Sequence, residues 1–146
     1  MTSEAMTRAV PDYDEIVRVV QLYVDAFNER DGGPAQGPDP VRMDMLKEAF
    51  HEDAWIFFTR ADGTLRKCLM SEYFEESAGP SPSGRRITGR IISVTQAGDV
   101  ASVLLGFDSS RGKAFSWVDF HNLLRIDGVW KITNKTATHA SRAGGA

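Results

Sequence analysis

Asp119 and His121 are the two residues of this chain whose types and spacing best suit chemistry. They stand two apart in "WVDFHNLL" (residues 117–124), a run with the alternation of a β-strand, so both side chains point to the same face. A carboxylate held in an apolar pocket is shifted by desolvation toward the range that suits a general base near neutral pH. A neighbouring imidazole can donate a proton or hold a substrate oxygen. The pair could therefore move a proton on a bound molecule, with Asp119 as base and His121 as its acid partner.

What surrounds the pair depends on the hairpin that carries it. Asp127-Gly128 is a strong signal for a two-residue turn. With that turn regular, Ile126 faces Val129, and residues paired across the strands share a face. One face then holds Arg125 with Trp130, Leu123 with Ile132, His121 with Asn134, Asp119 with Thr136, and Trp117 with Thr138. The other holds Leu124 with Lys131, Asn122 with Thr133, and Phe120 with Lys135, which sends two lysines toward water. The tryptophan face is expected to point inward. It is apolar at the turn end (Leu123, Trp130, Ile132) and polar at the far end. The polar set either lines a pocket with an apolar floor or satisfies itself, Asp119 bonding Thr136 and His121 bonding Asn134. An extra bulged residue in the turn would exchange the two faces.

The elements that position this hairpin can be read from pattern. Tyr13, Ile16, Val17, Val20, Tyr23, Val24 and Phe27 recur at helical spacing, with Asp12 and Glu15 placed as a reciprocal cap and Gly32 and Gly33 as a stop. "GGPAQGPDP" (residues 32–40) is a loop. Asp39-Pro40 opens a second helix carrying Met43, Leu46, Ala49 and Phe50. "AWIFF" (residues 54–58) and residues 64–69 are short strands around the turn Ala61-Asp62-Gly63. Ser71 caps a third helix with Tyr73 and Phe74, and residues 79–84 form a loop. Strands follow at 87–96, 100–108, 114–126 and 129–139. Helices first and an antiparallel sheet afterwards make an α+β domain.

The bulk numbers narrow the function classes. The chain has 146 residues, the size of one domain, with an ordered core expected over 12–139 and flexible ends. Hydrophobic residues make up 42% and charged residues 25%, as in globular proteins. A net charge of -3 and a pI near 5.6 argue against nucleic-acid binding driven by bulk positive charge. The basic run at residues 84–90 reads as a charged strand edge, without interleaved aromatics to stack bases. No apolar run approaches the length of a membrane span, and the polar N-terminus has no signal core. The single cysteine, Cys68, precludes an intramolecular disulfide and reads as a small core residue. A cytoplasmic location is expected.

Other chemistry finds little support. His51, His121 and His139 show no metal-ligand spacing, so no metal or cofactor is expected. His51 reads as a helix-end residue and His139 as a strand end. No P-loop, dinucleotide fingerprint or GxSxG elbow is present.

The order of elements, with Tyr23 to Phe27 in the first helix, "AFHEDA" (residues 49–54), "DF" at 119 and 120, and above all "LLRIDGVWKITNK" (residues 123–135), resembles the nuclear transport factor two-like (SnoaL-like) superfamily. Within it the chain is most similar to the putative lumazine-binding family of small bacterial proteins. The resemblance spans about Asp12 to His139; the loop at 32–40 departs from the usual short connection. It implies a cone-shaped, curved antiparallel sheet wrapped by N-terminal helices around a pocket. The superfamily holds lyases, isomerases, hydrolases and cyclases as well as proteins that only bind or assemble, so fold alone does not select an activity. The resemblance also implies a homodimer through the outer sheet face, here Phe120, Leu124, Ile126 and Val129.

Three functions remain open from sequence. The first is a small-molecule-binding domain for a pteridine-like or other flat apolar ligand, lined by Tyr23, Phe27, Trp55, Trp117, Asn134 and Thr136 beside Asp119 and His121. The second is a lyase or isomerase acting through Asp119 and His121. The third is a dimerisation module with a packed interior and no ligand.

Overall fold

The computed structural model describes residues 10–28, 42–77, 87–109 and 116–137. Side chains of Phe27 and Trp117 lie outside the described part, as do the expected loops at 32–40 and 79–84, the Asp39-Pro40 helix start, Arg85, Arg86, Thr138, His139 and both chain ends.

Three helices and six strands follow in the order α1 (Tyr13–Asn28), α2 (Met43–Ala49), β1 (Phe50–Thr59), β2 (Leu65–Leu69), α3 (Met70–Ser77), β3 (Ile87–Ala97), β4 (Val100–Ser109), β5 (Ser116–Ile126) and β6 (Val129–Ala137). The strands form one sheet in the order β2-β1-β6-β5-β4-β3. The α+β class and the curved sheet wrapped by helices are as expected. The sheet is not wholly antiparallel, however: β1 runs parallel to β6. β1 enters the sheet from α2 rather than through a hairpin with β6, so no tight turn obliges it to reverse.

Local chemistry accounts for the turns. Asp127 (φ 51°) and Gly128 (φ 80°) both occupy the left-handed region, as a primed two-residue turn demands. At the β1–β2 turn, Oδ1 of Asp62 accepts from the Thr64 amide (2.9 Å) and hydroxyl (2.6 Å), closing the loop around Gly63.

Helix α1 lies across the inner sheet face and buries Ile16, Val19, Val20, Tyr23, Val24 and Ala26. The stripe is rotated slightly from expectation: Val19 is buried, while Tyr13 is 39% exposed. Gly89 on β3 permits the approach, because a Cβ there would meet Cγ2 of Val24 at 2.6 Å. The expected reciprocal cap does not form. The Asp12 carboxylate instead receives Arg125 Nη1, Trp130 Nε1 (3.1 Å) and Gln96 Nε2 (3.1 Å), and Glu15 pairs with Arg18 at 2.7 Å. Asp12 thereby ties the start of α1 to three strands. "FHED" is strand rather than helix end: β1 begins at Phe50, and His51 Nδ1 accepts the Asp53 amide at 3.0 Å. Helix α3 begins at Met70, one residue before the expected cap Ser71.

Candidate functional site

The last hairpin keeps the expected register only near its turn. Ile126 pairs with Val129, Arg125 with Trp130, Leu124 with Lys131 and Leu123 with Ile132. The next pair is Asn122 with Asn134, so Thr133 is an extra residue in β6. A bulge leaves a ladder group without its partner; here the Thr133 hydroxyl donates to the Asn122 carbonyl at 3.2 Å.

That one residue exchanges the faces of β6 beyond Ile132. His121 pairs with Lys135, Phe120 with Thr136 and Asp119 with Ala137. Asn134 and Thr136, expected beside His121 and Asp119, turn to the outer face. There Oδ1 of Asn134 accepts from Asn122 Nδ2 (3.1 Å) and from the Thr136 hydroxyl (3.3 Å). Lys135, expected in water, turns inward and is 3% exposed. Trp55 pairs with Asn134 and shares its outer face; it is 38% exposed, with Lys67 Nζ 4.3 Å from its ring centroid. Trp55, Asn134 and Thr136 are therefore not part of the interior, and the self-satisfying network proposed for the polar set lacks its partners.

What the interior does hold is an Asp–His–Lys cluster. Asp119 and His121 are wholly buried. Oδ2 of Asp119 lies 3.6 Å from Lys135 Nζ and 3.7 Å from His121 Nε2, near enough for charge pairing and too far for a hydrogen bond. Neither Asp119 oxygen and neither His121 nitrogen has a hydrogen-bond partner among the described residues.

Aromatic rings enclose the cluster. The Tyr23 ring centroid is 5.3 Å from that of His121, and Phe50 lies 6.3 Å from the same imidazole. Tyr23 also meets Phe74 and Phe107 at 5.8 and 5.7 Å. Lys135 Nζ sits 5.6 Å from the Tyr23 centroid and 5.2 Å from that of Tyr73. The floor is apolar as expected, with Leu123, Ile132 and Trp130 buried.

This setting holds both rings neutral. Burial pushes the His121 imidazole below its ordinary value, opposed by the Asp119 carboxylate and reinforced by the Lys135 ammonium. Burial, then the charge of Asp119, raises the Tyr23 phenol well above its ordinary range. A neutral imidazole offers one N–H donor and one acceptor, and an ionised carboxylate offers acceptors alone.

Of the residues expected in the site, the structure brings together Asp119, His121 and Tyr23. It adds Lys135, which the regular register hid, and Tyr73 from α3, whose ring Lys135 faces. Among the described residues no group of three or more His, Cys, Asp or Glu is placed to hold a metal ion, and no helix is long and apolar enough to cross a membrane.

A family model described as putative lumazine-binding matches residues 11–137. The chain belongs to this family. Membership agrees with the solved structures that resemble it. An NTF2-like protein of unknown function from Shewanella baltica OS155 shares 24% identity at a TM-score of 0.64, covering 88% of this chain and 93% of its own. Another from Methylobacillus flagellatus KT shares 27% identity at 0.63, covering 90% and 94%. The first shares the fold of this member of the putative lumazine-binding family, and the second, at 27% identity, supports its place in the NTF2-like superfamily. Among curated proteins the chain is similar to Aldolase FrzH of Cladobotryum sp., 24% identical over 124 residues, 85% of this chain and 88% of that protein.

Proposed function

We propose that the interior of the sheet is a binding site for a small, uncharged, largely apolar molecule that carries an N–H or O–H donor beside an acceptor. One observation carries this reading: four polar atoms of Asp119 and His121 are buried without partners. Each such group costs about 1–3 kcal/mol if left unmade, so four of them weigh against a purely structural interior. The Asp119 oxygens need donors; the neutral His121 needs one donor and one acceptor. Aromatic walls of Tyr23, Tyr73, Phe50 and Phe74 favour a flat ligand body. A pteridine-like compound satisfies both requirements, as does any flat heterocycle with an amide-like edge.

The test is a titration of isotope-labelled protein with lumazine and a panel of small uncharged heterocycles, followed by NMR. Saturable shifts centred on Asp119, His121, Lys135 and Tyr23 are expected. Shifts absent across the panel, or confined to the outer face, contradict the reading.

A second reading makes Asp119 a base and His121 its acid partner in a cofactor-free lyase or isomerase. The similarity to a protein named as an aldolase favours it. An activity that survives Asp119→Asn unchanged removes it.

The outer face carries a separate proposal. Phe120, Leu124, Ile126 and Val129 are 51%, 40%, 38% and 47% exposed, and Val100, 52% exposed, pairs with Leu124. A second copy of the chain covering this apolar patch is the arrangement that would remove it from water.

A further inference from the structure

Lys135 is a primary amine in a setting unlike that of a surface lysine. Its side chain is 4% exposed, its Nζ lies 3.6 Å from a wholly buried carboxylate oxygen, and two tyrosine rings stand 5.2 and 5.6 Å from it. Its neighbours across the sheet, His121 on β5 and Ile56 on β1, are both fully buried. It lies close to Ala137, where β6 ends, and Asp119 lies close to Ser116, where β5 begins. The pair is thus near one end of the sheet rather than at its middle.

We propose that Lys135 captures an uncharged aldehyde or ketone as a protonated imine held against Asp119. The proposal rests on the reading of this interior as a small-molecule site and adds covalent chemistry to it. The ammonium first gives a proton to Asp119. The freed nitrogen lone pair attacks the carbonyl carbon while the C=O π bond breaks, and a proton passes from that nitrogen to the oxygen to give a neutral carbinolamine. Asp119 then returns its proton to the carbinolamine hydroxyl, which leaves as water while the nitrogen lone pair forms the C=N bond and the Asp119 carboxylate is restored. The net change is one ammonium and one carbonyl compound giving one iminium and one water, with no oxidant or reductant.

Charge explains why the site suits this step. An iminium replaces an ammonium without altering the charge that faces Asp119, so the buried pair stays balanced. The tyrosine faces that accommodate an ammonium accommodate an iminium equally. Asp119 and His121, the groups with unpartnered atoms, stand where the displaced water and the transferred protons need hydrogen-bond partners. The group that faces the Lys135 ammonium is the Asp119 carboxylate, so a substrate carboxylate drawn to the same nitrogen would meet a like charge. The class is therefore an uncharged carbonyl compound rather than a keto acid.

The experiment is reductive trapping. The whole chain is incubated with benzaldehyde and, in a parallel arm, with pyruvate; each is reduced with cyanoborohydride and mapped by peptide mass spectrometry. Benzaldehyde is expected to label Lys135 on the order of ten-fold more than the exposed lysines Lys47 and Lys67, with pyruvate labelling it less. The label should vanish in Lys135→Arg, and in Lys135→Met if arginine is not tolerated. Label spread over surface lysines with Lys135 unmodified overturns the proposal. Benzyl alcohol, which cannot form an imine, separates the two claims. If it shifts the NMR signals of Asp119 and His121 while benzaldehyde leaves Lys135 unlabelled, the capture fails and the binding site stands. If neither compound engages the interior, both fail.

Discussion

Lys135 Nζ and Asp119 Oδ2 lie 3.6 Å apart inside the sheet, on strands whose regular pairing would have put them on opposite faces. A buried charge depends on its partner, and breaking such a pair from one side typically costs about 3–5 kcal/mol. Asp119→Asn and Lys135→Met are each expected to lose about that much in urea denaturation. The double variant should lose less than the sum, with a coupling of about 1–3 kcal/mol. Single variants within about 0.5 kcal/mol of the parent would show that the pair is not closed in solution.

His121 sets a pH dependence. Burial lowers its folded-state pKa below the ordinary 6.5, so between the two values the unfolded chain binds more protons than the folded one. Its contribution is present in full above about 6.5 and is lost as pH falls from there through the folded value. Asp119 and Lys135 face the same imidazole, with opposite effects on its charging. Urea midpoints measured from pH 8 to pH 5 should fall on the acid side, and His121→Asn should flatten that slope. A slope identical in the variant would assign it to other groups.

The seat of α1 on the sheet can be tested at one glycine. Gly89→Ala places a methyl group 2.6 Å from Cγ2 of Val24 and is expected to cost about 1–3 kcal/mol. Adding Val24→Ala should recover part of the loss, because it removes the atom that clashes. A fully additive double variant would mean that the helix does not rest on Gly89.

The outer face predicts an association. Sizing by light scattering is expected to give a dimer, and Phe120→Glu, at an exposed position of the patch, should weaken it by about 2 kcal/mol or more. A monomer for the parent chain would contradict the outer-face proposal and leave the interior site untouched.

These residues also show how far the chain could be read in advance. The Asp127-Gly128 turn, the helical stripe of α1 and the apolar floor of Leu123, Trp130 and Ile132 follow from local rules, and all are present. The inward position of Asp119 and His121 follows from alternation along a strand whose inner positions include Leu123. The partners of this pair were not legible for a specific reason. The apolar phase of β6 ends at Ile132, and Thr133-Asn134-Lys135-Thr136 contains no hydrophobic residue to say which side faces in. A bulge at Thr133 costs little when its hydroxyl can take up the free Asn122 carbonyl, so the register slips by one. Lys135 then replaces Asn134 inside. Trp55 was expected inside on its residue type alone; β1 buries Ala54 and Ile56, and alternation turns the residue between them outward. The parallel join of β1 to β6 was missed because no turn signal records it.

The central claim is that the unpartnered atoms of Asp119 and His121 meet a small molecule. A crystal structure of the protein as purified from its expression host, refined against the interior density, tests it most directly. The account predicts a non-water molecule hydrogen-bonded to Asp119 and His121 between the rings of Tyr23 and Tyr73. Ordered waters alone at those atoms, or a dry interior in which side chains close over them, would contradict it.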